Sequence, residues 1–310
     1  MDIRTAGAVR RLELSTTGFL RLALASVGAL WLIMVTGAAV RLTDSGLGCR
    51  HWPGCEKGHP LPAKDYHAYI EFGNRVIGGV TIVVVLLTAL GAWRTPRLSR
   101  ASRRLALAVF LGTLAQAPLG YLAVKTDLRW PVVAAHLLLS ALLLAGAVVL
   151  ALEAYRVVRG RAEPLVPLEL RRAGLLVAAA ALALVVTGTL ATAAGPHSGG
   201  GATQVHRLWR FQPMIYVHAA AVAVFAVGLV FVLGYLAARR ERSPRLFVLG
   251  LVVLGALLAQ MVIGEIQYRT HLPWPLVLAH VGFAAAVWAL VVAFVTVLWR
   301  PPGALLPDRA

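Results

Sequence analysis

The sequence predicts an all-α integral membrane protein with eight transmembrane helices, arranged as two tandem four-helix bundles related by a pseudo-twofold axis. Of its 310 residues 59% are hydrophobic and only 14% are charged, whereas soluble proteins are about half apolar and a quarter charged. Apolar runs of about twenty residues, the length that crosses ~30 Å of hydrocarbon as a helix, cover residues 19–40, 73–93, 105–124, 132–153, 173–194, 213–236, 246–266 and 276–299.

The bilayer itself decides the secondary structure of these runs. Peptide groups in hydrocarbon have no water to bond, so only helices and closed β-barrels span membranes. Barrel strands alternate apolar and polar residues, whereas these runs are continuously apolar and rich in Leu, Val and Ala. We therefore expect helices throughout.

Membrane topology accounts for the net charge of +17, and no nucleic-acid partner is expected. If the N-terminus is cytoplasmic, nineteen arginines fall on the inner segments and nine Lys and Arg residues on the outer loops. An excess of basic residues marks the cytoplasmic side, so both termini are predicted to lie inside. The first span is too long for the apolar part of a signal peptide, and we expect an uncleaved helix.

An internal repeat divides the chain into two halves. Residues 115–136 align without gaps on residues 259–280, an offset of 144, and the first span aligns on the fifth at an offset of 151. Each half begins inside with an even number of spans, so the repeat is parallel. We predict a cytoplasmic segment at 1–18, an N-terminal half at 19–153, a linker at 154–172, a C-terminal half at 173–299 and a cytoplasmic tail at 300–310.

Three histidines lie within the spans, and each follows a proline by five residues: His136, His218 and His280. Proline suits the first turn of a helix, so each imidazole should lie about 7 Å below the outer helix end. A single histidine in a span can be a structural hydrogen-bonding group. Three at one depth, two of them related by the repeat, instead indicate a functional path or a cofactor.

The surroundings of these histidines favour heme. Zinc or copper would bring further Cys, His or carboxylate ligands, which the spans do not offer, whereas heme needs only one or two axial imidazoles in an apolar slot. We expect His218 and His280 to ligate one heme from opposite faces. The corresponding pair in the first half is Asn74 and His136. Asparagine is a poor iron ligand, so this second heme site has room for chemistry.

Glu71 lies one helical turn before Asn74 on the same face. Its counterpart in the second half is Ile215, so the carboxylate belongs only to the half with the open site. The alternative is an ordinary carboxylate at a helix start, stabilised by the helix dipole. His67 and Arg75 either orient Glu71 or meet heme propionates, and the sequence leaves both roles open.

Both cysteines, Cys49 and Cys55, lie in the first outer loop. An outer compartment is oxidising, and a turn between two thiols six residues apart allows them to pair, so we predict a disulfide. A metal site with the nearby His51 and His59 is the alternative.

As a set, these motifs resemble the heme A synthase family. The resemblance covers about residues 20–299 and rests on five features: eight spans in two halves, the cysteine pair in the outer loop, the Glu-x-x-x-Arg segment at Glu71 and Arg75, the Trp-Pro-x-x-x-x-His segments that open the fourth and eighth spans, and the histidine of the sixth.

The resemblance implies an oxidoreductase that converts the C8 methyl of heme O into the formyl group of heme A for an aa3-type terminal oxidase. It implies heme b on His218 and His280, heme O as the substrate with its iron on His136, and Glu71 as the catalytic carboxylate. Implied partners are heme O synthase (protoheme farnesyltransferase), a membrane electron donor and the oxidase under assembly. The expected location is the cell membrane, with the disulfide loop and both heme sites toward the outer face.

One position departs from the family pattern. Many members carry a histidine where this chain has Asn74, so the substrate iron is expected to have a single imidazole ligand, with His67 as a distant substitute for the second. Two other functions are weighed. A diheme electron-transfer cytochrome would need two equivalent sites, and a secondary transporter with a parallel repeat should have broken helices near the midplane.

Overall fold

The computed structural model describes residues 13–49, 51–52, 54–59, 61–62, 64–197, 199–200, 208–241 and 243–305. Within them lie α1 (Thr16–Leu42), α2 (Tyr66–Arg94), α3 (Arg100–Lys125), α4 (Trp130–Arg159), α5 (Leu168–Ala194), α6 (Phe211–Ala238), α7 (Pro244–Arg269) and α8 (Trp274–Trp299), followed by a short 3-10 helix at Gly303–Leu305.

All eight α-helices are long and apolar enough to cross a membrane. Each contains one predicted span, so the all-α membrane fold is confirmed. Residues 1–12 of the predicted N-terminal segment and residues 306–310 of the predicted tail lie outside the described part of the chain. The predicted boundaries of the two halves stay a prediction.

Polar caps and prolines set the helix ends. The side chains of Ser15, Asp65 and Ser99 accept hydrogen bonds from the first turns of α1, α2 and α3, which satisfies backbone donors that a helix leaves free. Helices α4 and α8 instead carry proline in the first turn, where its missing N–H costs nothing. His136 and His280 are each the seventh residue of their helix and His218 is the eighth residue of α6, while their common depth in the membrane stays a prediction.

The repeat is visible in the backbone. Helices α3 and α7 have equal lengths of 26 residues, and the turns that follow them contain two successive left-handed residues each. These are Asp127 and Leu128 (φ 51° and 57°) in one half and His271 and Leu272 (φ 62° and 61°) in the other. Non-glycine residues seldom adopt this conformation. Its recurrence at matching positions indicates that both turns derive from a single turn of the unit that was duplicated.

The helices form two rings of four. Each helix of the first half packs on its two neighbours in the order α1, α2, α3, α4, and the second half repeats this with α5 to α8. Between the halves α4 packs on α8, while α1 packs on α8 and its counterpart α5 packs on α4. This exchange of partners is what a pseudo-twofold axis requires.

Side chains on α8 and α1 connect the two rings. The Trp288 indole donates to the Ala141 carbonyl of α4 (2.8 Å), and the Trp31 indole donates to the Gly282 carbonyl of α8 (2.9 Å). At the end of the bundle opposite the disulfide loop, the buried Glu153 of α4 pairs with Arg156 at 2.8 Å and with Arg300, just after α8, at 3.0 Å. One apolar core runs through both halves, so they form a single body.

We expect Trp288→Ala to lower the free energy of unfolding by about 3–5 kcal/mol, because it leaves a cavity at the interface between the halves and removes a buried hydrogen bond. Thermal unfolding of the detergent-solubilised protein, followed by circular dichroism, measures the change. The control is Phe231→Ala, whose ring is 68% exposed on the outside of α6. Equal losses in the two variants would contradict the assigned interface.

Candidate functional site

A cavity of about 600 Å³ lies mainly between α1, α2, α3 and α4, and residues of α5 and α8 complete its lining. It lies at the end of the bundle that carries the disulfide loop, and much of its lining is apolar. Four of the predicted site residues line it together: Glu71, Asn74, Arg75 and His136. His218 and His280 do not line it and lie in the second half. The sequence-predicted residues therefore divide between two places, one in each ring of helices.

Glu71 is only 5% exposed although it carries a carboxylate. One carboxylate oxygen accepts the Cys49 N–H at 2.7 Å, and the other accepts from the Arg75 guanidinium at 2.5 Å. The capping residue of α2 is Asp65, and the first turn of the helix contains no acidic residue. The alternative of a helix-start carboxylate is therefore wrong, and Glu71 is held by the outer loop and by Arg75.

Arg75 binds the disulfide loop as well as Glu71. Its guanidinium donates to the carbonyl oxygens of His51 at 2.7 Å and of Gly54. Of the two roles weighed for Arg75, the orientation of Glu71 is confirmed, while contact with heme propionates stays a prediction. A buried ion pair is tolerated only when its remaining polar groups are also bonded. The loop carbonyls and the Cys49 N–H supply those bonds.

The predicted disulfide between Cys49 and Cys55 is confirmed, and both half-cystines are buried. No group of three metal-binding side chains occurs among the described residues, and both sulfurs are used in the disulfide rather than in a metal site. The chain reaches the bridge through Gly48, where a Cβ atom would lie 2.6 Å from the backbone of His67. Only glycine fits where the loop crosses the start of α2.

His67 does not reach the cavity. Its Nδ1 lies 3.0 Å from the Ser45 hydroxyl, and its ring packs edge-on against Tyr66 at the outer surface. The structure therefore gives His67 a place in the loop packing rather than beside the Asn74 position.

The loop covers the mouth of the cavity from α2 to α3. Trp52, between the two cysteines, lines the cavity, and its ring centre lies 5.9 Å from that of Tyr121 on α3. Lys125 lies over the other side of this contact, 5.6 Å from the Tyr121 ring centre. Neither aromatic residue was a candidate from the sequence. For Trp52 the sequence did contain a usable indication, because a tryptophan between two paired cysteines is held in a short closed loop.

Repeat-related contacts surround the two candidate ligand pairs. The Thr36 hydroxyl of α1 donates to the Asn74 side-chain oxygen at 2.8 Å, and the Thr187 hydroxyl of α5 lies 3.1 Å from Nδ1 of His218. Asn74 and His218 therefore occupy matching places. Facing each of the four positions is a glycine on the adjacent helix, in the pairs Gly37 with Asn74, Gly120 with His136, Gly188 with His218 and Gly264 with His280.

These glycines set how closely the helices approach the ligand positions. A Cβ on Gly188 would lie 3.0 Å from Cε1 of His218, and a Cβ on Gly264 would lie 3.0 Å from Cε1 of His280. Both distances are shorter than ordinary carbon contacts. At Gly37 the nearest atom of Asn74 is 4.0 Å away, so the first half is looser. The repeat alignment contains these glycines, but their contacts are between helices and were not predicted.

The model of the COX15-CtaA family, described as cytochrome oxidase assembly protein, matches residues 20–292. This chain belongs to that family. The six candidate residues of the two sites lie inside the matched range: Glu71, Asn74, Arg75, His136, His218 and His280. The COX15-CtaA match also covers α2 to α7 completely and most of α1 and α8.

Curated relatives agree with the COX15-CtaA assignment. The heme A synthase of Shewanella oneidensis is 27% identical over 316 aligned positions, which cover 87% of this chain and 93% of that protein. The heme A synthase of Bacillus pumilus is 32% identical over 141 residues, 45% of this chain and 46% of the relative. That of Lysinibacillus sphaericus is 38% identical over 98 residues, 31% of each. In these last two alignments the chain spans less than half of the relative's length.

Proposed function

We propose that this protein is a heme A synthase, a membrane oxidoreductase that converts the C8 methyl of heme O into the formyl group of heme A for an aa3-type terminal oxidase. One observation carries the proposal. The first half places an imidazole, His136, and a buried, oriented carboxylate, Glu71, on the same cavity. The family membership and the names of the relatives support it.

The second half fits a resident heme b on His218 and His280. These residues lie on α6 and α8, two helices of the second ring. Each faces a glycine, and Nδ1 of His280 is buried with no hydrogen-bond partner among the described residues. A heme with two axial imidazoles transfers single electrons when it is bound. In this proposal His218 and His280 would hold it, and it would pass the electrons that oxidation of the methyl group releases to a membrane electron carrier.

In the first half we assign the iron of the substrate heme O to His136. Asn74 lies across the cavity, and its side-chain oxygen is bonded to Thr36. An amide is a weak ligand for iron. The substrate iron is therefore bound from the His136 side alone. A single imidazole suits a heme that must leave after it reacts, whereas two suit a permanent one.

Glu71 is the proton acceptor in this proposal. Oxidation of a methyl carbon releases protons beside the macrocycle, in a site from which water is largely excluded. The carboxylate lies at the outer end of the cavity under the disulfide loop, between the reacting region and the outer aqueous phase. Arg75 fixes its orientation through the ion pair, and general-base groups must be within hydrogen-bond reach of the proton they take.

The two alternatives fit the structure less well. A diheme cytochrome needs equivalent sites, but Glu71, Asn74 and Arg75 have Ile215, His218 and Ala219 as counterparts in the second half. A transporter with a parallel repeat needs interrupted helices in matching places. Helices α1 to α8 are continuous, and the one proline well inside a helix, Pro118 in α3, corresponds to Val262 in α7.

The proposal places the protein in the cell membrane with both termini in the cytoplasm and both sites near the outer face. Heme O synthase supplies the substrate, a membrane electron carrier exchanges electrons with heme b, and the oxidase under assembly receives heme A. These partners follow from the chemistry of the proposed reaction, since its substrate and product are both insoluble in water.

We expect His218→Leu and His280→Leu each to abolish the low-spin heme b spectrum of the purified protein, because each removes one axial ligand. The control is His67→Leu, which alters an outer-loop contact and should leave that spectrum unchanged. Absorption spectra with extracted-heme chromatography measure the outcome. If both ligand variants keep the low-spin spectrum, the assignment of heme b is wrong.

Asn74→Ala should retain conversion of heme O to heme A, because His136 alone holds the substrate iron. Asn74→His should hold heme O more tightly and give it a low-spin spectrum, since it restores the second imidazole of the His218 position. Heme content and product are measured in purified protein. Loss of substrate binding in Asn74→Ala as complete as in His136→Ala would instead make Asn74 an essential ligand.

Glu71→Gln should fold, keep heme b and bind heme O, yet form heme A at least ~10²-fold more slowly, within the usual ~10²- to 10⁴-fold range for general acid–base groups. The matched control is Glu265→Gln, which removes an exposed carboxylate paired at the same i, i+4 spacing with Arg269 near the outer end of α7. Near-normal heme A production by Glu71→Gln would leave the carboxylate with a purely structural role.

A further inference from the structure

Two glutamines occupy matching places on α3 and α7 and have no role in the mechanism above. Gln116 donates from Nε2 to the backbone carbonyl of His136 at 3.2 Å, and Gln260 donates to that of His280 at 3.0 Å. In both residues the other side-chain atom, Oε1, is buried and has no hydrogen-bond partner within the described part of the chain. Each half therefore buries one unsatisfied acceptor beside its histidine.

The same histidines bury an unsatisfied nitrogen. Nδ1 of His136 and Nδ1 of His280 lack a partner among the residues that the structure describes. In the second half this nitrogen faces α7, because a Cβ on Gly264 would lie 3.5 Å from it. Gln260 is one helical turn from Gly264 on the same helix face. In the second half the unsatisfied nitrogen therefore faces the helix face that carries the unsatisfied acceptor, and the repeat gives Gln116, Gly120 and His136 the same spacing in the first half.

Energetics favour the pairing of these atoms. A buried polar group without a partner costs about 1–3 kcal/mol, so two such groups at repeated positions need an explanation. A neutral imidazole that binds a metal through Nε2 carries its hydrogen on Nδ1. Metal-binding histidines almost always donate this hydrogen to a carboxylate, carbonyl or water, which fixes the ring and raises the basicity of the ligand.

We infer that Oε1 of Gln260 accepts the Nδ1 hydrogen of His280 when heme b is bound, and that Gln116 does the same for His136 and the substrate heme. Both glutamines are then positioning residues, which act on iron through the imidazole. The inference rests on the proposed function, because it takes both histidines as heme ligands. In this inference each amide turns about its Nε2 contact so that Oε1 meets Nδ1.

The third histidine already has the corresponding contact. Nδ1 of His218 lies 3.1 Å from the Thr187 hydroxyl, and that hydroxyl donates to the Leu184 carbonyl at 3.1 Å. A lone pair of the Thr187 oxygen is thus free to accept from Nδ1. With the two glutamines, every histidine assigned to iron has an acceptor for its second nitrogen on a neighbouring helix.

The test compares Gln260→Leu with Gln260→Glu in the purified protein with heme b bound. Both variants lose the amide Nε2 donor to the His280 carbonyl, but only Glu keeps a side-chain oxygen that can accept from Nδ1, and it also adds a carboxyl group that can carry a charge. We expect Leu to raise the reduction potential of heme b and to weaken heme binding by about 10- to 100-fold. Glu should keep the potential at or below that of the original protein. A tenfold change in relative affinity for the two iron oxidation states corresponds to about 59 mV.

Redox titration followed by absorption spectroscopy measures the potential. Gln116→Leu is the control for heme b, because it contacts His136 in the other half and should not move this potential. Equal shifts in the same direction for Gln260→Leu and Gln260→Glu, or no shift in Gln260→Leu, would overturn the inference. If Gln260→Leu does not accumulate, Gln260→Met provides the same comparison with an unbranched side chain.

Failure of the inference is distinct from failure of the proposed function. A low-spin spectrum that is lost in His280→Leu, together with an unchanged potential in Gln260→Leu, rejects only the role of the glutamine. A purified protein without heme, or a spectrum that survives both His218→Leu and His280→Leu, rejects the heme b site itself and with it the basis of the inference.

Discussion

Peptide groups inside a bilayer must bond to one another, and this constraint shapes everything else in the molecule. It makes each span a continuous helix whose backbone is fully used, so the sites can be built only from side chains that cross between helices. Those side chains need space at the contacts. Glycines supply it opposite all four ligand positions, for example Gly188 beside His218 and Gly264 beside His280. Polar side chains are thereby confined to two narrow interhelical sites, one in each half.

Duplication of one four-helix ring produced two copies of the same interhelical site, and a few side chains now distinguish the two sites. The second half keeps two imidazoles and tight glycine contacts. The first has Asn74 in place of one imidazole, adds Glu71 with Arg75, and leaves a cavity of about 600 Å³. Ser140, which receives a hydrogen bond from Gln116 at 2.7 Å, has Ala284 as its counterpart. In the proposed function a permanent heme and an exchangeable one thus use nearly the same frame.

The spans, the repeat, the disulfide and the positions of the histidines in their helices could be predicted because their signals are local in the sequence. The start of α2 could not: hydropathy begins at residue 73, whereas the helix begins at Tyr66. Its first turns are polar, and the disulfide loop covers part of them. The bonds from Cys49 to Glu71 and from Arg75 to the loop depend on how that loop folds back. Gln260 was visible as an identity in the repeat, but its contact lies on another helix.

The position of the disulfide ring links thiol chemistry to the buried ion pair. The ring that Cys49 and Cys55 close presents the N–H that binds Glu71 and the carbonyls that bind Arg75. In a chain with free thiols the same loop is not closed by the disulfide. Bringing those backbone groups together then costs more conformational entropy. The second half contains no cysteine and can assemble without this step. Closure of the disulfide ring therefore lowers the entropic cost of placing the backbone groups that bind Glu71 and Arg75, and this effect is confined to the first half.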